Sequence, residues 1–187
     1  ELAEHFGIPV YAPDDARISC ADVRVAEGDA IELPDAGLTF STMHLPGHTL
    51  SHVAYVGHGV AFTGDTLFSL GCGRLVEGTP AQMLASLQRL AALPDDTQIY
   101  CGHEYTLANA RFALTIDPTN SALKERAREV EASVAAGRAT LPTRLDLELA
   151  TNPFLRWHDP TIRKNLGMEK ASDAEVFAEI RKRKDLF

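Results

Sequence analysis

The stretch Thr79–Cys101, TPAQMLASLQRLAALPDDTQIYC, decides the architecture. Thr79 is placed to cap a helix, Pro80 suits its first position, and Gln82 three residues on completes a capping box. Met83, Leu87 and Leu90 recur on one face, so this helix has an apolar stripe to bury, and Pro94 ends it. Thr97-Gln-Ile-Tyr-Cys101 then reads as a strand. Upstream, Leu38-Thr-Phe-Ser-Thr-Met-His44 alternates apolar and polar residues as a half-buried strand does. Val53-Ala-Tyr-Val56 and Gly59-Val-Ala-Phe-Thr-Gly64 are further short runs closed by turn residues. Strands on both sides of an amphipathic helix predict a layered α/β architecture.

Past residue 104 the pattern changes. Leu123, Ala127, Val130 and Val134 recur at helical spacing, with Gly137 as a stop signal. Ser172 and Glu175 form a second capping box ahead of Val176, Phe177 and Ile180. The expectation is a strand-rich part, residues 1–103, followed by a mainly helical part, residues 104–187. With no repeat or low-complexity linker between them, the two are expected to pack closely.

Composition narrows the function. With 187 residues, 45% hydrophobic and 24% charged, the chain is globular in type, which excludes collagen-like and disordered readings. No apolar run approaches the ~18 residues of a membrane helix, so no membrane partner is expected. A net charge of −8 without a basic stretch argues against nucleic acid. Three cysteines, Cys20, Cys72 and Cys101, are an odd count, which favours free thiols, a reducing compartment and the cytoplasm. A monomer is the expectation. The opening ELAEHFGIPVYAP reads as the end of a helix running into a strand, so the chain is expected to be cut from something longer.

Three stretches could carry chemistry: Leu45-Pro-Gly-His-Thr-Leu-Ser-His52, Gly64-Asp-Thr-Leu-Phe68 and Cys101-Gly-His-Glu-Tyr-Thr106. Each sets a potential metal ligand, His48, Asp65 or His103, beside a glycine at a strand end, where a turn exposes it and a strand holds it. Imidazole and carboxylate suit zinc, iron or manganese. A lone histidine in a turn is a ligand about one time in ten, and Gly-Asp is an ordinary turn dipeptide. No His-x-His pair marks one face of an element. The residues by themselves reach no further than a candidate metal hydrolase.

Together, Pro46-Gly-His-Thr-x-x-His52, Gly64-Asp-Thr-Leu-Phe68, Gly71-Cys-Gly-Arg74 with Glu77-Gly-Thr79, Cys101-Gly-His-Glu-Tyr-Thr106 and the ending Arg181-Lys-Arg-Lys-Asp-Leu-Phe187 resemble glyoxalase II, the hydroxyacylglutathione hydrolases of the metallo-β-lactamase superfamily. The resemblance covers essentially the whole chain. It implies part of an αββα sandwich, its N-terminal strands absent, followed by a helical substrate-binding part. It implies two divalent metal ions, zinc first and iron or manganese as alternatives, with His48 on one, His103 on the other and Asp65 bridging. A hydroxide shared by the metals would attack the thioester of an S-(2-hydroxyacyl)glutathione such as S-D-lactoylglutathione, in methylglyoxal detoxification. Arg74, Tyr105, Arg181 and Lys184 match the family's glutathione-binding positions; without the resemblance, the last two would read as a solvated helix end.

The sequence departs from the family in places. The Thr-His-x-His-x-Asp-His run expected ahead of Phe6 is not in it, leaving three ligands, so the resemblance implies an active longer parent and an inactive chain alone. Val76 stands where relatives often carry an aromatic ring, and Ser51 where glycine is common. His52 is either a packed histidine or one that orients a ligand. Cys72 and Cys101 are expected to be structural, and Trp157 a packing residue. Two alternatives stay open: a persulfide dioxygenase with a single iron, and a non-catalytic glutathione- or metal-binding remnant. A β-lactam hydrolase is disfavoured by the basic tail.

Overall fold

The computed structural model describes residues 2–187. It begins with helix α1 (Leu2–Phe6) and strands β1 (Tyr11–Pro13), β2 (Val23–Val25), β3 (Ala30–Leu33) and β4 (Leu38–His44). Strands β5 (Val53–Gly57) and β6 (Val60–Gly64) follow, then a short hairpin of β7 (Leu67–Phe68) and β8 (Gly71–Cys72). Helix α2 (Pro80–Ala91) leads to β9 (Gln98–Cys101). The remainder is α3 (Thr106–Ile116), α4 (Ser121–Ala135), β10 (Thr143–Arg144), α5 (Leu145–Thr151), α6 (Pro160–Leu166) and α7 (Asp173–Leu186).

The principal sheet has six strands in the order β10-β9-β6-β5-β4-β3. Its single parallel pair is β6 with β9; the other neighbours are antiparallel. A parallel pair needs a crossover, and α2 supplies it. Both capping boxes form as the sequence predicts, Thr79 with Gln82 on α2 and Ser172 with Glu175 on α7. The apolar stripe of α2 is buried: Met83, Leu87 and Leu90 are sealed against Ala54, Ala61 and Ile99 of the sheet. Each such Leu stabilises the fold by roughly 1.5–3 kcal/mol over leaving it in water. The opposite sheet face carries a file of aromatic rings, Phe40, Phe62 and Tyr100, with centroids 5.7 and 5.4 Å apart. Phe62 and Tyr100 remain about 40% exposed.

The helical part is not a separate body. α7 packs on α2, and Phe154, Phe177 and Ile180 join the same core as the sheet and α2. Trp157 is buried in that core, as expected of a packing residue. A smaller cluster lies between α3 and α4, and the tip of the β7–β8 hairpin, Leu70, is inserted into it. Of the predicted α4 stripe, Leu123, Ala127 and Val130 are buried, but Val134, one residue before the helix ends at Ala135, is 43% exposed. β10 extends the sheet beside β9 by two residues, too short for an alternating pattern to announce it. No helix among the described residues is long and apolar enough to cross a membrane.

Candidate metal centre

His48 follows β4 on a loop pressed against α2. A Cβ on Gly47 would lie 2.9 Å from the Met83 backbone, so only glycine permits this approach. The His48 carbonyl accepts from the Val76 and Glu77 amides at 3.1 and 3.2 Å. Its ring Nδ1 is 2.9 Å from the Arg74 carbonyl oxygen. A carbonyl can only accept, so Nδ1 carries the proton and Nε2 keeps its lone pair. That Nε2 points at Asp65 Oδ2, 3.4 Å away.

Asp65 follows Gly64, which ends β6 with φ +49°. The Asp65 amide donates to His52 Nε2 at 3.1 Å, and His52 Nδ1 sits 3.1 Å from the Thr66 hydroxyl. Burial, with His48 beside it, lowers the His52 pKa to about 4, so the ring is neutral and can accept from the Asp65 amide. His52 is thus hydrogen-bonded to the Asp65–Thr66 turn through both ring nitrogens. Two glycines pack against Asp65. A Cβ on Gly102 would lie 2.5 Å from Asp65 Oδ1, and one on Gly73 only 1.8 Å from the Asp65 carbonyl oxygen.

His103 follows β9, where the Gly102 amide bonds the Gly64 carbonyl at 2.8 Å. Its Nε2 is also 3.4 Å from Asp65 Oδ2. The ring stacks on Tyr105 with centroids 5.0 Å apart and meets the edge of Phe68 at 6.2 Å. Two imidazoles and a carboxylate are the donor chemistry that a divalent ion takes. Among the described residues, however, no group of three or more His, Cys, Asp or Glu side chains is arranged to hold an ion alone. What the three side chains share is one carboxylate oxygen, 3.4 Å from each imidazole.

The three line a cavity of about 560 Å³ together with Arg74, Tyr105, Arg181 and Lys184. All seven residues singled out in the sequence thus meet in one place. Arg181 is no solvated helix end. It is 6% exposed, donates to the Cys72 carbonyl at 2.9 Å, pairs with Asp185 at 2.9 Å, and lies 5.1 Å from the centre of the Phe154 ring. Lys184 Nζ sits between the Phe112 and Phe187 rings at 5.2 and 5.3 Å. Burial, then the Arg181 charge, lowers its pKa. Arg74 is exposed at the rim, and Tyr105 is half exposed beside His103. Burial pushes the Cys72 thiol up to about 11, which keeps it an inert wall residue. Phe68, Asn109 and Asp185 also line the cavity and were missed in the sequence. Helical spacing could have found two of them, Asn109 one turn after Tyr105 and Asp185 one turn after Arg181.

The loop carrying His48 is tied at its far end. The Leu50 amide donates to Glu77 at 2.8 Å, and the Ser51 hydroxyl to Asp15 at 2.7 Å. Arg17 bridges Asp15 and Glu77 and holds both carboxyls below their usual range. Ser51, unusual for the family resemblance, is here an anchor. Val76 is 57% exposed and lines no part of the cavity.

Comparisons with known proteins bear on the family and the fold. Residues 2–103 match the family model of the metallo-β-lactamase superfamily, and residues 104–187 that of the hydroxyacylglutathione hydrolase C-terminus. A hydroxyacylglutathione hydrolase of Mesorhizobium japonicum is 60% identical over the whole chain, which spans 74% of that relative. One from Xanthomonas campestris is 55% identical, again with 74% of its length spanned. Among solved structures, ETHE1 from Myxococcus xanthus is 27% identical with a TM-score of 0.63, covering 97% of this chain and 60% of its own. The BLEG-1 B3 metallo-β-lactamase, 23% identical with a TM-score of 0.56 over 82% of this chain and 68% of its own, shares the fold.

Proposed function

The chain belongs to the hydroxyacylglutathione hydrolases of the metallo-β-lactamase superfamily, and from that premise we propose how its residues serve a metal-dependent hydrolysis of S-(2-hydroxyacyl)glutathione to glutathione and a 2-hydroxy acid. The observation that carries this is the convergence of His48 Nε2 and His103 Nε2 on one Asp65 oxygen, at 3.4 Å each, in a cavity whose far wall is Arg181 and Lys184. The C-terminal family match over residues 104–187 sides with the hydrolase rather than with a persulfide dioxygenase.

Residues 1–103 would hold the metal, and residues 104–187, joined by Arg74, most of the substrate. His48 and His103 would hold divalent metal through their imidazoles, and Asp65 would add its carboxylate. Zinc is the first choice, with iron or manganese as alternatives. Such ions, when bound, bring the pKa of water toward ~7 and polarise the thioester carbonyl. The chain's own residues do the rest. Arg74 O keeps the His48 proton on Nδ1, and His52 holds the Asp65 turn in register. Arg74, Arg181 and Lys184 form a cationic wall for the carboxylates of the glutathione tripeptide. Tyr105, stacked on His103, presents its hydroxyl at the cavity mouth, and Phe68 closes the apolar side against water. The leaving group is a thiolate, which needs less help from a general acid than an amine. A monomer in the cytoplasm, with three free cysteines and no nucleic-acid partner, completes the proposal.

The test is hydrolysis of S-D-lactoylglutathione with zinc added. The 187-residue chain is compared with the same chain preceded by the Thr-His-x-His-x-Asp-His run that the family carries. Turnover by the extended chain only is the expected result. Turnover by the short chain would show that three ligands suffice, and none by either would overturn the activity.

A further inference from the structure

Glu148 belongs to no motif, yet it is a carboxylate with no solvent exposure at all. It stands on α5, in the helical part, and reaches across to the turn of the β7–β8 hairpin. Oε2 accepts from the Leu70 amide at 2.7 Å and from Asn152 Nδ2 at 3.0 Å. Oε1 accepts from the Thr143 and Ser69 hydroxyls at 2.7 and 3.1 Å. Asn152 continues the grip, donating to the Phe68 and Gly71 carbonyls at 3.2 and 3.0 Å. A buried carboxylate is costly unless its oxygens are satisfied, and four donors satisfy these.

What this grip holds is strained. Leu70 has φ +58°, a left-handed conformation that costs a branched residue energy and persists only when the surroundings over-determine it. Its side chain is locked into the α3–α4 cluster and its amide onto Glu148. The strand leaving this turn runs straight into the metal centre. Gly73 packs on the Asp65 carbonyl and donates to the Thr66 carbonyl at 3.2 Å. The Arg74 carbonyl then sets the His48 tautomer.

We infer that Glu148 is a positioning residue: with Asn152 it clamps residues 68–71 in a strained turn, and so fixes from the helical part the Gly73–Arg74 segment against which His48 and Asp65 are aligned. The inference rests on the metal-centre assignment proposed above. It makes ligand alignment depend on a side chain that touches neither metal nor substrate, and it assigns α5 a task beyond packing.

The experiment measures zinc affinity by chelator competition and amide hydrogen exchange in full-length protein. Glu148→Met keeps the length and removes both acceptors. The expected result is Leu70 and Gly73 amides exchanging at least ~10-fold faster, unchanged exchange at Ala54 and Ile99, and zinc affinity lower by ~10–100-fold. Glu148→Gln should restore both readouts to within about threefold. Its amide oxygen can still accept from Leu70 while its NH2 faces the two hydroxyls. If Glu148→Met does not fold, Thr143→Val and Ser69→Ala each remove one donor and should move both readouts the same way by a few fold. Unchanged zinc affinity with a protected Leu70 amide overturns the inference. So does equal loss in Glu148→Met and Glu148→Gln with the sheet amides also exposed, because that is general destabilisation. Thioester turnover is measured alongside: normal zinc binding without turnover in the unaltered protein would defeat the proposed reaction, while exchange and affinity would still decide the role of Glu148.

Discussion

On one wall of the cavity, His48, Asp65 and His103 stand on three loops at strand ends; on the other, Arg181 and Lys184 project from one helix, three residues apart. The loop wall is held by close backbone approaches and by side chains that grip backbone amides, His52 at Asp65 and Glu77 at Leu50. Glycines at 47, 73 and 102 let main chains approach to distances a Cβ would forbid, and the Arg74 carbonyl orients the His48 ring. The helix wall is held by side chains, Arg181 on Asp185 and Phe154, and Lys184 between two rings. Backbone-held donors keep positions to the tolerance that metal coordination demands. A cationic wall of long side chains tolerates more play. The two walls should therefore fail differently when altered.

The largest effect is expected at the centre of the loop wall. Asp65→Ala removes the oxygen shared by both histidines and should lower kcat by about a thousandfold with loss of bound metal. Full metal content by elemental analysis would contradict the bridging role. On the helix wall, Arg181→Ala should act through KM. Loss of a charge-assisted hydrogen bond costs ~1.5–3 kcal/mol, roughly ten- to more than a hundredfold in binding. Its burial adds a second expectation, a lower unfolding midpoint as Asp185 and Phe154 lose their partner. An unchanged KM would remove Arg181 from the substrate site and leave it a packing residue.

Gly73→Ala sharpens the contrast because it adds one methyl group to the loop wall and takes nothing away. The methyl would meet the Asp65 carbonyl, so the segment must shift. Metal affinity should fall by about tenfold, with KM little changed in the metal-saturated protein. A rise in KM alone would mean that both walls answer as one unit. The smallest effect is expected at the cap of α2, which supports both walls from behind. Thr79→Ala should cost about 1 kcal/mol in denaturant unfolding and leave metal content and KM where they were.

Much of this was legible in the chain itself. The capping box at Thr79, the stripe Met83–Leu87–Leu90 and the strand runs around them are local signals, and the helix and strands formed within a residue or two of where these place them. His48, Asp65 and His103 were legible as ligand types beside glycines, because the turn that exposes a ligand is written in adjacent residues. Their meeting was not. His48 and His103 are far apart in sequence, and only the pairing of β6 with β9 brings Gly64 beside Gly102.

What the sequence by itself determined, then, is which side chains can do chemistry and which local segment presents each. The tertiary structure decided their tautomers, their partners and their common focus. It also decided that Arg181 is buried, and that a glutamate with no neighbouring motif, Glu148, holds the turn beneath the site. The reason is physical. Caps, stripes and turns depend on residues within about four positions of one another, whereas desolvation and long-range hydrogen bonding exist only once distant segments have packed.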